Sequence, residues 1–69
     1  MVIFVNGERR ELEGPLTVEA LLAVLQLDPR VVVVEHNRKI LKRPELSHTT
    51  IHADDSLEVV RIVGGGGRG

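Results

Sequence analysis

The chain opens on an unbroken apolar run, Val2-Ile3-Phe4-Val5, rich in β-branched side chains and closed by Asn6-Gly7. Such residues favour extended backbone, and Asn-Gly supplies the two positive φ angles that a two-residue type I′ turn demands. The pattern predicts a strand, a tight turn and a second strand over Arg9 to Glu13, with Leu12 pointing away from Glu11 and Glu13 so that one face of the hairpin is wet. Gly14-Pro15 breaks that strand. The period then changes: Val18, Leu21, Leu22 and Leu25 recur at helical spacing and form one apolar stripe. Thr17 stands where an N-cap hydroxyl is wanted, and Glu19 lies in the first turn, at the positive end of the helix dipole. Asp28-Pro29 ends the segment, since proline breaks the hydrogen-bond ladder and restricts its predecessor.

Val31 to Glu35 reads as a third strand, Asn37 as a turn, and Ile40-Leu41 as a shorter extended segment. Pro44 to Ser47 is expected to be an irregular or 3₁₀ turn. Asp54-Asp55-Ser56 is a turn signal before a last strand from about Leu57 to Val63. The order is α+β: a mixed sheet of four to five strands with a single main helix, which covers only one face of it. Yet the last strand puts Leu57, Val59 and Val63 on one parity and Val60 and Ile62 on the other, and the four valines Val31 to Val34 are apolar on both. Val60, Ile62 and one pair of the valines are therefore predicted to form an exposed apolar patch, the usual mark of a partner surface. The competing expectation is that sheet curvature and long side chains such as Arg61 or Lys39 cover them.

Beyond the last strand the pattern stops. Gly64, Gly65, Gly66 and Gly67, then Arg68 and Gly69, offer nothing to a core, and glycine loses more backbone freedom on ordering than any other residue. The chain thus divides into a domain over residues 1–63 and a flexible glycine-rich tail over residues 64–69. Six extended residues reach at most about 20 Å, and without side chains they can thread a channel too narrow for other residues. Chemistry at such a tail happens at the terminal carboxylate and is carried out by another protein. The competing expectation is a disordered end.

Composition narrows the partners. The 69 residues carry nine basic and ten acidic side chains, a formal charge of −1, which argues against nucleic acid or an anionic membrane as partner. Phe4 is the one aromatic, so the core must be aliphatic, and a chain this short leaves little room for a deep catalytic cleft. With no cysteine there is neither a disulfide nor a thiolate. The longest apolar run is far too short to span a bilayer, and the expectation is a soluble, cytoplasmic protein.

The reactive side chains form no catalytic pattern. His48 and His52 have the i, i+4 spacing of helical zinc sites, but Thr49-Thr50-Ile51 between them favour extended chain, where the two would stand roughly 13 Å apart. With His36 they read as scattered surface histidines and no metal site. Arg38, Lys39, Lys42 and Arg43 lack interleaved aromatics and are flanked by Glu35 and Glu45, the pattern of a solvated face, with docking of an acidic partner as the lesser alternative. The pairs Glu11 with Glu13 and Asp54 with Asp55 have nothing around them to raise a pKa for acid or base work. The glycines fail as a phosphate loop because no helix follows them.

Three stretches in order, Val5 to Glu8 (VNGE), Val31 to Arg43 (VVVVEHNRKILKR) and Asp54 to Gly66 (DDSLEVVRIVGGG), resemble the ThiS family of sulfur carriers over nearly the whole length. The resemblance implies a ubiquitin-like β-grasp and a non-enzyme that partner enzymes act on. A ThiF-type adenylyltransferase would use ATP and magnesium to adenylate the C-terminal glycine carboxylate, no cofactor being bound by the carrier itself. A sulfur-transfer protein would then convert the adenylate to a thiocarboxylate, and a ThiG-type thiazole synthase would take the sulfur for the thiazole of thiamin. The acceptor would be Gly69, or Gly65 or Gly66 if the end is trimmed, with Val60, Arg61, Ile62 and Arg43 as the partner-binding patch. Three departures stand out: Asp54-Asp55 where the family commonly has Gly-Asp, Leu41-Lys42-Arg43 where it often has Val-Pro-Arg, and an end that runs past the usual diglycine to Arg68-Gly69. The alternatives are a ubiquitin-like binding module or protein modifier, or a carrier for molybdopterin synthesis.

Overall fold

The computed structural model describes residues 1–62. In chain order these form β1 (Val2–Val5), β2 (Glu8–Glu11), β3 (Leu16–Thr17), α1 (Val18–Val24), a 3₁₀ turn (Pro29–Val31), β4 (Val32–His36), β5 (Lys39–Leu41), a second 3₁₀ turn (Arg43–Glu45), β6 (Thr50–Ile51) and β7 (Ser56–Arg61). Five strands make one mixed sheet in the order β2-β1-β7-β4-β5, with β1 and β7 parallel at its centre and the other neighbours antiparallel. β3 and β6 pair separately.

The expected first turn is present, with Asn6 at φ 52 and Gly7 at φ 82. β2 is shorter than expected and exposed along its whole length, while Leu12 beyond it packs on the core. Thr17 caps α1: its hydroxyl accepts from the Ala20 N–H at 3.1 Å. The next open donors are met from outside the helix, Val18 N–H by the Thr49 carbonyl and Glu19 N–H by that of Leu46. This is how the loop before β6 is tied to the helix, a link to which the threonine run gave only its extended form.

α1 ends at Val24, before the Asp28-Pro29 stop. Gln26 adopts φ 61, its N–H bonds the Ala23 carbonyl, and Leu27 N–H bonds that of Leu22. That pair of bonds is a Schellman closure, made without the glycine that would have announced it. Asp28 instead caps the Pro29–Val31 turn, which absorbs Val31 and starts the strand at Val32. At two of the family departures the local reason is visible. Asp54 takes φ 71, the conformation glycine would supply there and one that Asp tolerates better than most residues. The Lys42 N–H donates to Glu45 Oε1 at 2.7 Å and opens the second 3₁₀ turn, a bond a proline could not make.

Val18, Leu21 and Leu22 of α1 lie against Ile3, Val5, Leu57, Val59, Val32, Val34 and Leu41 of the sheet, with Leu46 and Ile51 closing the edge. The buried core is wholly aliphatic, as the composition requires. The opposite face of the sheet has no cover among the described residues.

Candidate functional site

Register decides what that open face presents. Val33 stands across from Val60, Glu35 from Glu58, and Ile40 from Glu35; directly opposed residues share a face. Val60, Ile40 and Ile62 keep 59%, 62% and 54% of their surface exposed, and Val33 and Phe4 nearly 40%. The exposed pair of valines is Val31 and Val33, while Val32 and Val34 are buried. Arg61 and Lys39 do not cover the apolar side chains, so the shielding alternative fails. Phe4 and Ile40 enlarge the patch beyond the expected residues. Both belong to short apolar runs whose inward parity cannot be assigned until the neighbouring strands are in place.

Glu35 and Glu58 form a like-charge pair at the middle of this face, an arrangement that destabilises a free sheet. Arg61 opposes Val32 on the other parity. Arg43 donates to the Arg30 carbonyl at 3.3 Å, and the next carbonyl, that of Val31, receives the Ile62 N–H at 2.7 Å. Val60, Arg61, Ile62 and Arg43 therefore gather around the end of β7. Arg30 is engaged by Asp28, whose carboxyl the Arg30 side chain and amide hold down to about 2. Among the described residues Arg61 and Arg43 have no carboxylate partner within ion-pair distance.

Val63 and the tail residues Gly64, Gly65, Gly66, Gly67 and Gly69 lie outside the described residues. The root of the tail does not. In the β4–β7 ladder Ile62 N–H bonds Val31, and Asn37 N–H bonds Ser56. Backbone groups alternate in direction along a strand, so those of Leu57, Val59 and Arg61 point toward β1. The Leu57 carbonyl accepts the Asn6 N–H at 2.8 Å. Val59 is met by the Asn6 side chain: its N–H donates to Asn6 Oδ1 at 2.8 Å and its carbonyl accepts from Nδ2 at 3.2 Å.

At the opposite end of β7 the histidine reading needs one correction. His48 and His52 are exposed, but the His36 side chain is mostly buried and its Nε2 lies 2.7 Å from Asp55 Oδ2. Asp55 also accepts the His52 N–H at 2.8 Å and the Asn37 side-chain amide at 3.2 Å, while Asn37 Oδ1 accepts the Ser56 N–H. Burial pushes the Asp55 carboxyl up, and the bonds from His36, the His52 amide and Asn37 together outweigh it and hold it below its ordinary value. Asp55 is thus a structural tie between the β4–β5 turn and the start of β7. The adjacent Asn-Arg turn and Asp-Asp turn were its only sequence signals, 17 residues apart and silent about meeting. No group of three metal-ligating side chains occurs among the described residues, and no described helix is long and apolar enough to cross a membrane.

A model of the ThiS family matches residues 3–66. The chain is 39% identical over 66 residues to the thiazole synthase of Paramagnetospirillum magneticum, covering 96% of this chain and 20% of that protein. A thiazole synthase of Magnetococcus marinus is matched at 38% with the same coverage, so the chain spans one fifth of the length of these two relatives. The sulfur carrier protein ThiS of Bacillus subtilis is 36% identical over 50 residues, 72% of this chain and 76% of its own. The crystal structure of the thiamine biosynthesis protein ThiS from Geobacter metallireducens superposes with a TM-score of 0.83 at 33% identity, covering 96% of this chain and all of that one.

Proposed function

The chain belongs to the ThiS family, and on that premise we propose that it is a sulfur carrier whose C-terminal glycine carboxylate becomes a thiocarboxylate, the sulfur going to the thiazole of thiamin. One observation carries the reading: the family match extends from Ile3 in β1 to Gly66, so it spans both the sheet and the first glycines. The ThiS fold and the similarity to a sulfur carrier protein support it further.

A carboxylate is a poor electrophile. In the proposed sequence a ThiF-type adenylyltransferase, using ATP and magnesium, lets the carboxylate oxygen attack the α-phosphorus and expel pyrophosphate. The persulfide of a sulfur-transfer protein displaces AMP from the acyl carbon, and thiol reduction of the resulting acyl disulfide leaves the thiocarboxylate. Similarity to one fifth of two proteins named thiazole synthase supports a ThiG-type enzyme as the receiver. In this reading the chain supplies the acceptor, the apolar face around Val60 and Ile62 that docks it, and the charges of Arg61 and Arg43 beside the channel mouth. Cysteine is absent from the whole chain, so no thiol of its own competes for the sulfur. The acceptor in this reading is Gly69, or Gly65 or Gly66 if the end is trimmed.

Incubation with the adenylyltransferase, ATP and a sulfur donor, followed by intact mass, tests the proposal on the full chain and on one ending at Gly66. The expected result is replacement of one oxygen by sulfur at the C-terminus of one of the two chains. No exchange on either sinks the carrier reading, and conjugates to lysines of other proteins would establish a modifier instead.

A further inference from the structure

The end of β7 is held unequally on its two sides. Toward β4 the pairing continues to the last described residue, through Val60 with Val33, Arg61 with Val32, and the Ile62 N–H on Val31. Toward β1 the strand pairing stops at Val5 with Leu57, because the chain turns away at Asn6-Gly7. Past that point a single side chain hydrogen-bonds the β7 backbone among the described residues, the amide of Asn6, which bonds both the N–H and the carbonyl of Val59. A carboxamide has the donor and acceptor of a peptide group, so Asn6 supplies the strand partner that β1 no longer provides.

We propose that Asn6 is a positioning residue for the tail: by clamping Val59 it fixes the direction in which β7 delivers Arg61, Ile62 and the glycines beyond them. The inference rests on the carrier reading above. Without the clamp, the backbone from Val59 onward is hydrogen-bonded only to β4, and the strand end samples directions in which the acceptor does not enter the partner's channel. A smaller competent fraction raises the apparent dissociation constant in inverse proportion and leaves the bound complex unchanged. The effect therefore falls on KM and spares kcat.

The turn and the clamp are separable. Asn6→Gly keeps the positive φ, since Gly-Gly is a favoured pair for this turn, and removes the amide. Amide hydrogen exchange on the isolated chain is expected to accelerate at Val59 by at least about tenfold, the equivalent of one net hydrogen bond, while Val60, bonded toward β4, keeps its protection. Thiocarboxylation by the partner enzymes is expected to show KM raised several-fold with kcat within about twofold. Asn6→Asp, which keeps the turn and an acceptor but loses the donor, is expected to fall between, and carries the test if Asn6→Gly does not fold. Unchanged exchange at Val59 overturns the clamp. Faster exchange with unchanged KM, or a fall in kcat alone, overturns its role in positioning. A wild-type chain that is never adenylated removes the carrier reading and the need for positioning with it, while the exchange data still judge the clamp.

Discussion

Arg38 occupies the second position of the β4–β5 turn at φ 73, beside Asn37 at φ 51. A left-handed conformation costs an ordinary L-residue about 1–2 kcal/mol, and Asn-Gly is the favoured pair for such a turn. Arg38→Gly is expected to raise stability by about 0.5 kcal/mol, less than the relieved strain because glycine is freer when unfolded. A higher urea midpoint with an unchanged slope would show it. The neighbouring Asp55 gives the protein an acid limit. Its carboxyl is held below the ordinary 3.8, so the unfolded chain binds that proton more readily than the folded one. The contribution is complete above about pH 4 and fades as pH falls through the folded value. Asp55→Asn is expected to cost about 1–2 kcal/mol at pH 7 and to narrow the stability difference between pH 7 and pH 3. An undiminished difference would place the acid sensitivity elsewhere.

At the scale of elements, α1 is seven residues long, too short to persist by propensity alone. Its existence depends on the Thr17 cap and on burial of Val18, Leu21 and Leu22, each without exposed surface. Leu22→Ala removes a fully buried side chain, and a cost of about 3 kcal/mol is expected. In a domain this small that is a large share of the total. Thermal unfolding should move down by more than ten degrees, roughly; a shift of a degree or two would mean that the helix is not what closes the core. The helix stripe and its cap were legible because both are local. Its true end was not, because Gln26 closes it in a conformation that sequence associates with glycine. The pair of β3 with β6 was likewise illegible, being two residues on each side and made only because the fold brings them together.

At the scale of the molecule, one helix on a five-stranded sheet leaves a face uncovered among the described residues, and the fold places apolar side chains on it. Val60→Asp is expected to change stability by less than about 1 kcal/mol, since Val60 keeps more than half of its surface in water. If the proposed partners dock on this face, the same change weakens binding to the proposed adenylyltransferase or thiazole synthase by tenfold or more, as loss of a central interface anchor does. Thermal unfolding and a binding titration on that variant check both halves, and a collapsed monomer would make the patch part of the core. The sequence by itself determined the five strands of the larger sheet, the helix, the aliphatic core and the two apolar parities of β7, because each follows from local period and composition. It could not say which side chains from distant turns would meet. Asn6 on Val59, His36 and Asp55 together, and Phe4 and Ile40 on one face with Val60 depend on strand order and register, which are set by long-range pairing that no local pattern encodes.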